Sequence, residues 1–370
     1  MTHAMSSERS CMPKPAVEDA SRTFKRTPIG RALDPKSAIP KIVSTLGSLP
    51  EATPAQAGWM SREEAIMGTA IRVELWHEDP TTGDAALDAV MEEMHRIDRA
   101  MSPFKPQSEL SRLNRQAAKA PVPVSREMLE LISRSIEFSK LSEGAFDITF
   151  ASVGCMFDYR NGIKPTAEET AAALPAIDYR HIRLDRRQST IHFARDNVQI
   201  DLGGIAKGYA VDNCVELLKA RGVKEALVVA GGDSRVLGDK RGRPWMIGIR
   251  DPRRKDSMVA MLPLVDAAIS TSGDYERYFE ADGVRYHHIL DPRTGSSATG
   301  VRSVTIVGPD ATTTEGISKS AFVMGPERGL RFVESFPGAD AVIIDGDGNM
   351  HYTAGLRRES RQCTTVGTAA

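Results

Sequence analysis

The sequence predicts an α+β fold, and three observations carry that reading. Apolar residues recur at helical spacing in Leu87, Val90, Met91, Met94, Ile97 and Met101, whereas Ala70 to Trp76 alternate as in a half-buried strand. Strand-like runs then return at Ala226 to Ala230, Trp245 to Ile249, Ala267 to Ser270 and Val304 to Val307. Helices and strands are mixed without the regular strand–helix–strand period of a parallel sheet, and no internal repeat is present.

Along the chain, residues 1–60 mix Ser, Pro, Arg and Lys with little periodicity and read as a flexible extension; residues 358–370 read as a flexible tail. A single domain is expected over 61–357. After the methionine-rich helix, Leu129, Ile132 and Ile136 mark a second amphipathic helix with Ser125 as N-cap and Gly144 near its end. A helix starting near Ala206 runs through Cys214 and Leu218 to Lys219, Arg221 and Gly222, a good C-terminal signature. Helices are expected from about Thr314 and from Pro326. The chain then closes on a hairpin, Val342 to Asp345 and His351 to Ala354, around Gly346-Asp347-Gly348-Asn349.

Composition narrows the function. The chain has 370 residues, 41% hydrophobic and 26% charged, with a formal net charge of -1, so it exerts no general pull on nucleic acid or anionic membrane. Cys11, Cys155, Cys214 and Cys363 lie far apart, without C-x-x-C or histidines at ligand spacing, which speaks against a zinc site or a disulfide scaffold and for idle thiols. No stretch approaches the roughly 18 apolar residues of a membrane span, and no secretory h-region is visible. A soluble, cytoplasmic protein is expected.

The stretch around which these elements are organised is Val198-Gln199-Ile200-Asp201-Leu202-Gly203-Gly204-Ile205-Ala206-Lys207-Gly208. It reads as a short apolar strand, a paired-glycine turn and a helix start with a lysine in the first turn. Such a turn lets backbone approach a ligand, and free N–H groups at a helix N-terminus favour phosphate. It matches neither G-x-G-x-x-G nor G-x-x-x-x-G-K-[ST]. Other stretches rich in glycine, aspartate and polar residues accompany it: Met101 to Asn114, Gly144-Ala145-Phe146-Asp147, Ala230-Gly231-Gly232-Asp233, Thr271-Ser272-Gly273-Asp274-Tyr275 and His287-His288-Ile289-Leu290-Asp291-Pro292-Arg293-Thr294-Gly295.

With these motifs in this order, the chain resembles the FAD:protein FMN transferase family, often called the ApbE family, from Met67-Gly68-Thr69 to about Leu356. The resemblance implies an ApbE-like, T-fold-related single catalytic domain with mixed sheets and packed helices. It implies FAD as donor substrate, transfer of FMN to a threonine or serine hydroxyl of an acceptor flavoprotein, AMP as leaving group, and a divalent metal, usually magnesium. Neither nucleic acid nor a membrane span is implied. By similarity, Asp201 and Lys207 hold FAD, Met67 and Phe104 lie against its rings, and Ala145, Phe146 and Asp147 meet the nucleotide end. The Gly204 carbonyl is a metal ligand, and His288 acts as general base or orienting group beside Lys207. Such chemistry asks mainly for positioning, charge neutralisation and a base. Asp274 and Asp291 read as turn scaffolding, with Arg293 as a partner for either carboxylate.

The chain departs from the family pattern at its metal site. That pattern, Thr-Thr-Ala-Asp-Ala-x-x-Thr-Ala, brings an aspartate and the threonine four residues later to the ion. Here the segment is Thr312-Thr313-Thr314-Glu315-Gly316-Ile317-Ser318-Lys319-Ser320-Ala321. Glu315 can still bind magnesium, but Lys319 cannot, and Glu followed by Lys at i+4 favours a helical ion pair. Two outcomes stand open: Lys319 replaces the metal's charge in a working transferase, or the pair closes the site and leaves an FAD carrier or regulatory module. An FAD pyrophosphatase giving FMN and AMP is a further alternative.

Overall fold

A computed structural model describes residues 57–254 and 256–356. The expected extension and tail therefore lie outside the described residues, apart from residues 57–60, of which Gly58, Trp59 and Met60 open the first strand.

In chain order the elements begin with β1 (Gly58–Ile66), β2 (Thr69–His77), α1 (Pro80–Met101), α2 (Glu109–Gln116), β3 (Val122–Pro123) and α3 (Arg126–Leu141). The middle holds α4 (Ala151–Gly154), α5 (Ala167–Ala173), β4 (Ile182–Asp185) and β5 (Thr190–Phe193). Then come α6 (Ala206–Ala220), β6 (Ala226–Ala230), β7 (Asp233–Leu237), β8 (Trp245–Arg250), β9 (Met258–Leu264) and β10 (Ala268–Gly273). The last part runs through β11 (Tyr278–Ala281), β12 (Val284–His287), β13 (Leu290–Asp291), β14 (Ser296–Ser297) and β15 (Val301–Gly308) to α7 (Ala311–Met324), α8 (Pro326–Glu334), β16 (Asp340–Asp345) and β17 (Met350–Tyr352).

Eight strands form the main sheet in the order β1-β2-β6-β7-β10-β15-β16-β17, and every neighbouring pair is antiparallel. Alternation along the strands sorts side chains to two faces. On β6, Ala226, Val228 and Ala230 join the large core beneath the helices, while Leu227 and Val229 turn to the other face. Helices α1, α6, α7 and α8 line the first face side by side, following the strand order beneath them. The methionine stripe is core, as expected: Val90, Met94 and Ile97 are fully buried. The opposite face is covered by the β8–β9 hairpin, through Trp245, Leu264 and a cluster in which Trp59 meets Trp76 and Trp245 edge-on at 5.7 and 5.3 Å. The Lys240 ammonium lies 5.0 Å from the Trp59 ring centre and 4.6 Å from that of Trp245.

Local signals set the element ends. Met67 and Gly68, with φ of 55° and 70°, form the two-residue β1–β2 turn that a right-twisted hairpin prefers. Ser125 caps α3 by accepting from the Met128 N–H at 3.1 Å, and after α6 the Val223 N–H reaches back to the Leu218 carbonyl. Helix α7 starts at Ala311, earlier than its pattern suggests, because two carboxylates cap it. Asp310 accepts from the Thr313 N–H at 2.7 Å, and Asp212 of α6 accepts from Ala311 N–H at 2.9 Å and Thr312 N–H at 2.8 Å.

Two sequence readings are corrected. Val198 to Leu202 is not a strand, because its hydrogen bonds go elsewhere. The Asn114 amide donates to the Ile200 carbonyl and accepts from the Ile200 N–H, both at 2.9 Å, while Gln199 N–H donates to Ser152 and Asp201 N–H to the Ile148 carbonyl. The idle-thiol reading holds for the buried Cys214 and fails for Cys155, which is disulfide-bonded.

Helices α6 and α7 touch at Gly208, where a Cβ would collide with the backbone of Ala311. Helix propensity alone would make Gly208→Ala stabilising by about 1 kcal/mol. Overpacking against backbone should outweigh that and cost about 1–3 kcal/mol net, read as a lower urea midpoint at unchanged slope. A midpoint at or above that of the parent would refute the close α6–α7 contact.

Candidate active site

The glycine turn ahead of α6 is where the singled-out motifs converge. Asp201 turns its carboxylate back onto the Gly203 N–H at 2.6 Å, while Ile205 and Ala206 donate to the Leu202 carbonyl and Gly208 donates to Glu315 at 2.7 Å. The expected row of free N–H groups is therefore mostly used up within the protein. Positive charge at the turn comes from side chains instead.

Lys207 supplies the first of these charges. Its ammonium contacts Glu315 Oε1, lies 2.9 Å from Asp233 Oδ2 and donates to the Gly203 carbonyl at 3.2 Å. Burial disfavours its charge, but Asp233 and Glu315 outweigh that and hold its pKa above the ordinary lysine value. Lys319 adds a second ammonium 3.3 Å from the same Glu315 oxygen, one helical turn along α7. Glu315 is fully buried, and Asp233, at the β6–β7 turn, is 1% exposed. Burial pushes the Asp233 carboxyl up, yet Lys207 and Lys319 together bring it below its usual range. Its Oδ1 is buried without a hydrogen-bond partner. Hydroxyl pairs Ser270–Thr314 and Ser272–Ser318, both at 2.8 Å, pin α7 to β10 and thereby fix where Glu315 and Lys319 stand.

The two histidines separate cleanly. His287 is 3% exposed, its Nε2 lies 2.8 Å from the Ala298 carbonyl and its ring packs edge-on against Phe322. His288 Nδ1 is buried with no partner. Burial, followed by the charges of Lys319 and Arg277, lowers the His288 pKa to about 3, so its imidazole is neutral at physiological pH. A neutral imidazole with a free ring nitrogen can accept a proton.

Arg277, which lies just past the Thr271 to Tyr275 motif, was missed by sequence reading. It donates to the Gly68 carbonyl at 3.2 Å, its own carbonyl accepts from the His288 N–H at 3.1 Å, and its charge opposes the burial that raises the Asp201 carboxyl. Through it the Met67–Gly68 turn, Asp201 and His288 are brought together. Phe146 stands at the same turn, since a Cβ on Gly204 would fall 3.2 Å from its ring and 3.9 Å from the Lys319 stem. Phe104 lies on the α1–α2 connection and is 73% exposed, an aromatic face free to stack.

Other predicted residues are braces. The Asp147 Oδ1 accepts from the Thr149 N–H at 2.8 Å and the Thr149 hydroxyl at 2.6 Å, and its Oδ2 accepts from the distant Tyr179 N–H at 2.7 Å, so both oxygens are engaged within the protein, beside the buried Ala145. Asp274 takes a bidentate Arg253 at 2.7 Å, and Arg293 pairs with Asp291. Asp291 also caps its own turn by accepting from the Arg293 N–H at 3.0 Å, as its context suggests, whereas Asp274 is held by arginines from other parts of the chain.

A model of the ApbE family matches residues 67–343, the span that contains every one of these groups. The chain belongs to the ApbE family. It is 36% identical over 315 residues to an FAD:protein FMN transferase of Treponema pallidum, covering 80% of this chain and 87% of that protein. A Vibrio cholerae FAD:protein FMN transferase is 33% identical over 280 residues, covering 73% and 82%. Among solved structures, the ApbE protein of Thermotoga maritima superposes with a TM-score of 0.76 at 35% identity, covering 81% of this chain and 99% of that one. The flavin transferase ApbE of Vibrio cholerae gives 0.73 at 28% identity, covering 82% and 99%. These neighbours bear out the α+β ApbE fold. Among the described residues no helix is long and apolar enough to cross a membrane.

The neutral state of His288 in this ApbE chain has a measurable consequence. Above pH 6.5 neither the folded nor the unfolded chain protonates it; between 6.5 and about 3 only the unfolded chain does, so stability falls as pH drops through that window. Unfolding free energy measured from pH 7 to 4 should decline less steeply in His288→Asn than in the parent. Parallel curves would mean that His288 is not held neutral.

Proposed function

We propose that this ApbE chain is an FAD:protein FMN transferase. The acceptor hydroxyl, on a threonine or serine of a flavoprotein, attacks the phosphorus that carries the FMN half of FAD. The phosphorus–oxygen bond to AMP breaks, AMP leaves, and the hydroxyl proton passes to His288. The observation that carries the reading is the pairing of an ammonium cluster at the glycine turn with a neutral, unpartnered histidine, in a family whose curated members of similar length bear that name.

In this reading Lys207 and the turn at Gly203-Gly204 hold the pyrophosphate end of FAD, and Asp201 serves FAD binding by fixing that turn through the Gly203 N–H. Met67 and Phe104 offer apolar and aromatic surface to its rings, while Phe146, 4% exposed and packed on Phe138, backs the turn from the core side. Ala145 and Asp147 shape the loop beside the nucleotide, with Asp147 acting as a brace. Phosphoryl transfer needs little covalent chemistry from a protein, and positioning, charge and one proton acceptor meet its demands.

The test is FAD turnover with a threonine-bearing acceptor domain that the Vibrio cholerae enzyme flavinylates in a parallel tube. The chain should release AMP in step with covalent, fluorescent protein-bound flavin. His288→Asn should lower kcat by roughly 10²–10⁴-fold, the usual contribution of a general base, while FAD still binds. AMP without protein-bound flavin would make the chain a pyrophosphatase, and FAD binding with neither product would make it a binding module.

A further inference from the structure

We infer that the Lys319 ammonium stands in place of a divalent cation, so that FAD is bound and cleaved in this site by two lysines without metal. The inference deepens the transferase reading and rests on it for the cleavage step.

A divalent ion does not fit the donor set that the chain presents. Magnesium requires near-octahedral oxygen coordination at about 2.0–2.1 Å and sheds its water reluctantly. Both oxygens of Glu315 are already engaged: Oε1 is held by Lys207 and Lys319, and Oε2 accepts from the Gly208 N–H at 2.7 Å. To turn toward an ion, this fully buried carboxylate would have to leave two ammoniums and a backbone donor, all inside the protein. Charge points the same way. The carboxylates of Glu315 and Asp233 are matched by the ammoniums of Lys207 and Lys319, so the cluster is already neutral before any ion arrives.

Position completes the case. The stem of Lys319 passes beside Gly204, where a Cβ would lie 3.9 Å from Lys319 Cγ, and its ammonium reaches Glu315. Lys319 thus fills the space between the Gly204 turn and the Glu315 carboxylate, which an ion shared by those two groups would need. Its side chain is 17% exposed, so Lys319 is not sealed off from a ligand at the turn. Bound pyrophosphate adds the negative charge that the neutral cluster lacks, and charge-assisted N–H···O bonds from both lysines then oppose the charge that grows on the departing AMP phosphate. The reaction remains balanced: FAD and the acceptor hydroxyl give the phosphoester, AMP and one proton, with no other reactant.

Three readouts on the full chain test this. FAD affinity, from flavin fluorescence quenching, should be the same in magnesium and in EDTA. Lys319→Thr should bind FAD about tenfold or more weakly in EDTA, the expected loss for a charged hydrogen bond, and Lys319→Arg should retain most of the affinity. Mn²⁺ alone, followed by electron paramagnetic resonance, should stay free with the parent chain and become bound by the double variant Glu315→Asp, Lys319→Thr. AMP release by the parent chain should survive EDTA. A parent chain that binds Mn²⁺, or whose FAD affinity or AMP release rises tenfold or more with magnesium, overturns the inference and leaves the transferase standing. Metal-independent FAD binding without AMP release in either buffer overturns the transferase reading and keeps Lys319 as the cation for binding.

Discussion

The buried carboxylate of Glu315 joins the parts on which this site depends. It receives the Gly208 N–H from α6, Lys207 from the first turn of α6 and Lys319 from its own helix. That contact requires α6 and α7 to approach at backbone distance, which only a glycine at position 208 permits. It also requires α7 to begin where it does, and the Asp212 carboxylate of α6 secures this by capping it. Replacing a buried ion pair by apolar packing is often neutral or stabilising, so fold stability gives no reason to keep two ammoniums and two carboxylates inside this domain. A ligand that brings its own negative charge does.

Much of the scaffold was legible because its signals are local. The methionine stripe of α1, the Ser125 cap and the Gly222 end of α6 each depend on residues within a few positions, and each stands where the pattern put it. Val198 to Leu202 misled for the opposite reason. Its apolar run looks like a strand, but Asn114, far back in the chain, satisfies both polar groups of Ile200 and removes any need for a neighbouring strand. The tryptophan cluster under the β8–β9 hairpin was likewise invisible, since Trp59, Trp76 and Trp245 meet only once β1, β2 and that hairpin are in place.

The site was legible mainly through motif order. Nothing in the spacing of Met67, Asp201, Lys207, His288 and Glu315 places them together, and the resemblance supplied what periodicity could not. Even so, the motifs did not reveal how charge is shared. The sequence suggested a simple Glu315–Lys319 pair at i+4, whereas Lys207 and Asp233 belong to the same network. Nor could adjacent histidines be told apart until one was seen satisfied by Ala298 and the other left open. Arg277 escaped notice because an arginine beside an aromatic-rich strand has no distinguishing local pattern.

How the turn meets an anion also differs from what its glycines suggest. Two helix N-termini lie near each other, but that of α7 is closed by Asp310 and Asp212, and the N–H groups of Gly203, Ile205, Ala206 and Gly208 already have acceptors inside the protein. A phosphate arriving here would find backbone shape but little backbone hydrogen bonding. The burden of neutralising it would fall on Lys207, Lys319 and Arg277, whose charges add to the burial that already keeps His288 neutral. Binding and base strength are thus opposed uses of one positive field: each cation that holds the pyrophosphate also weakens the histidine. A bound anion would ease only the smaller part of that conflict, because its negative charge offsets the cations beside His288 while burial, the larger cause of the low pKa, stays in place.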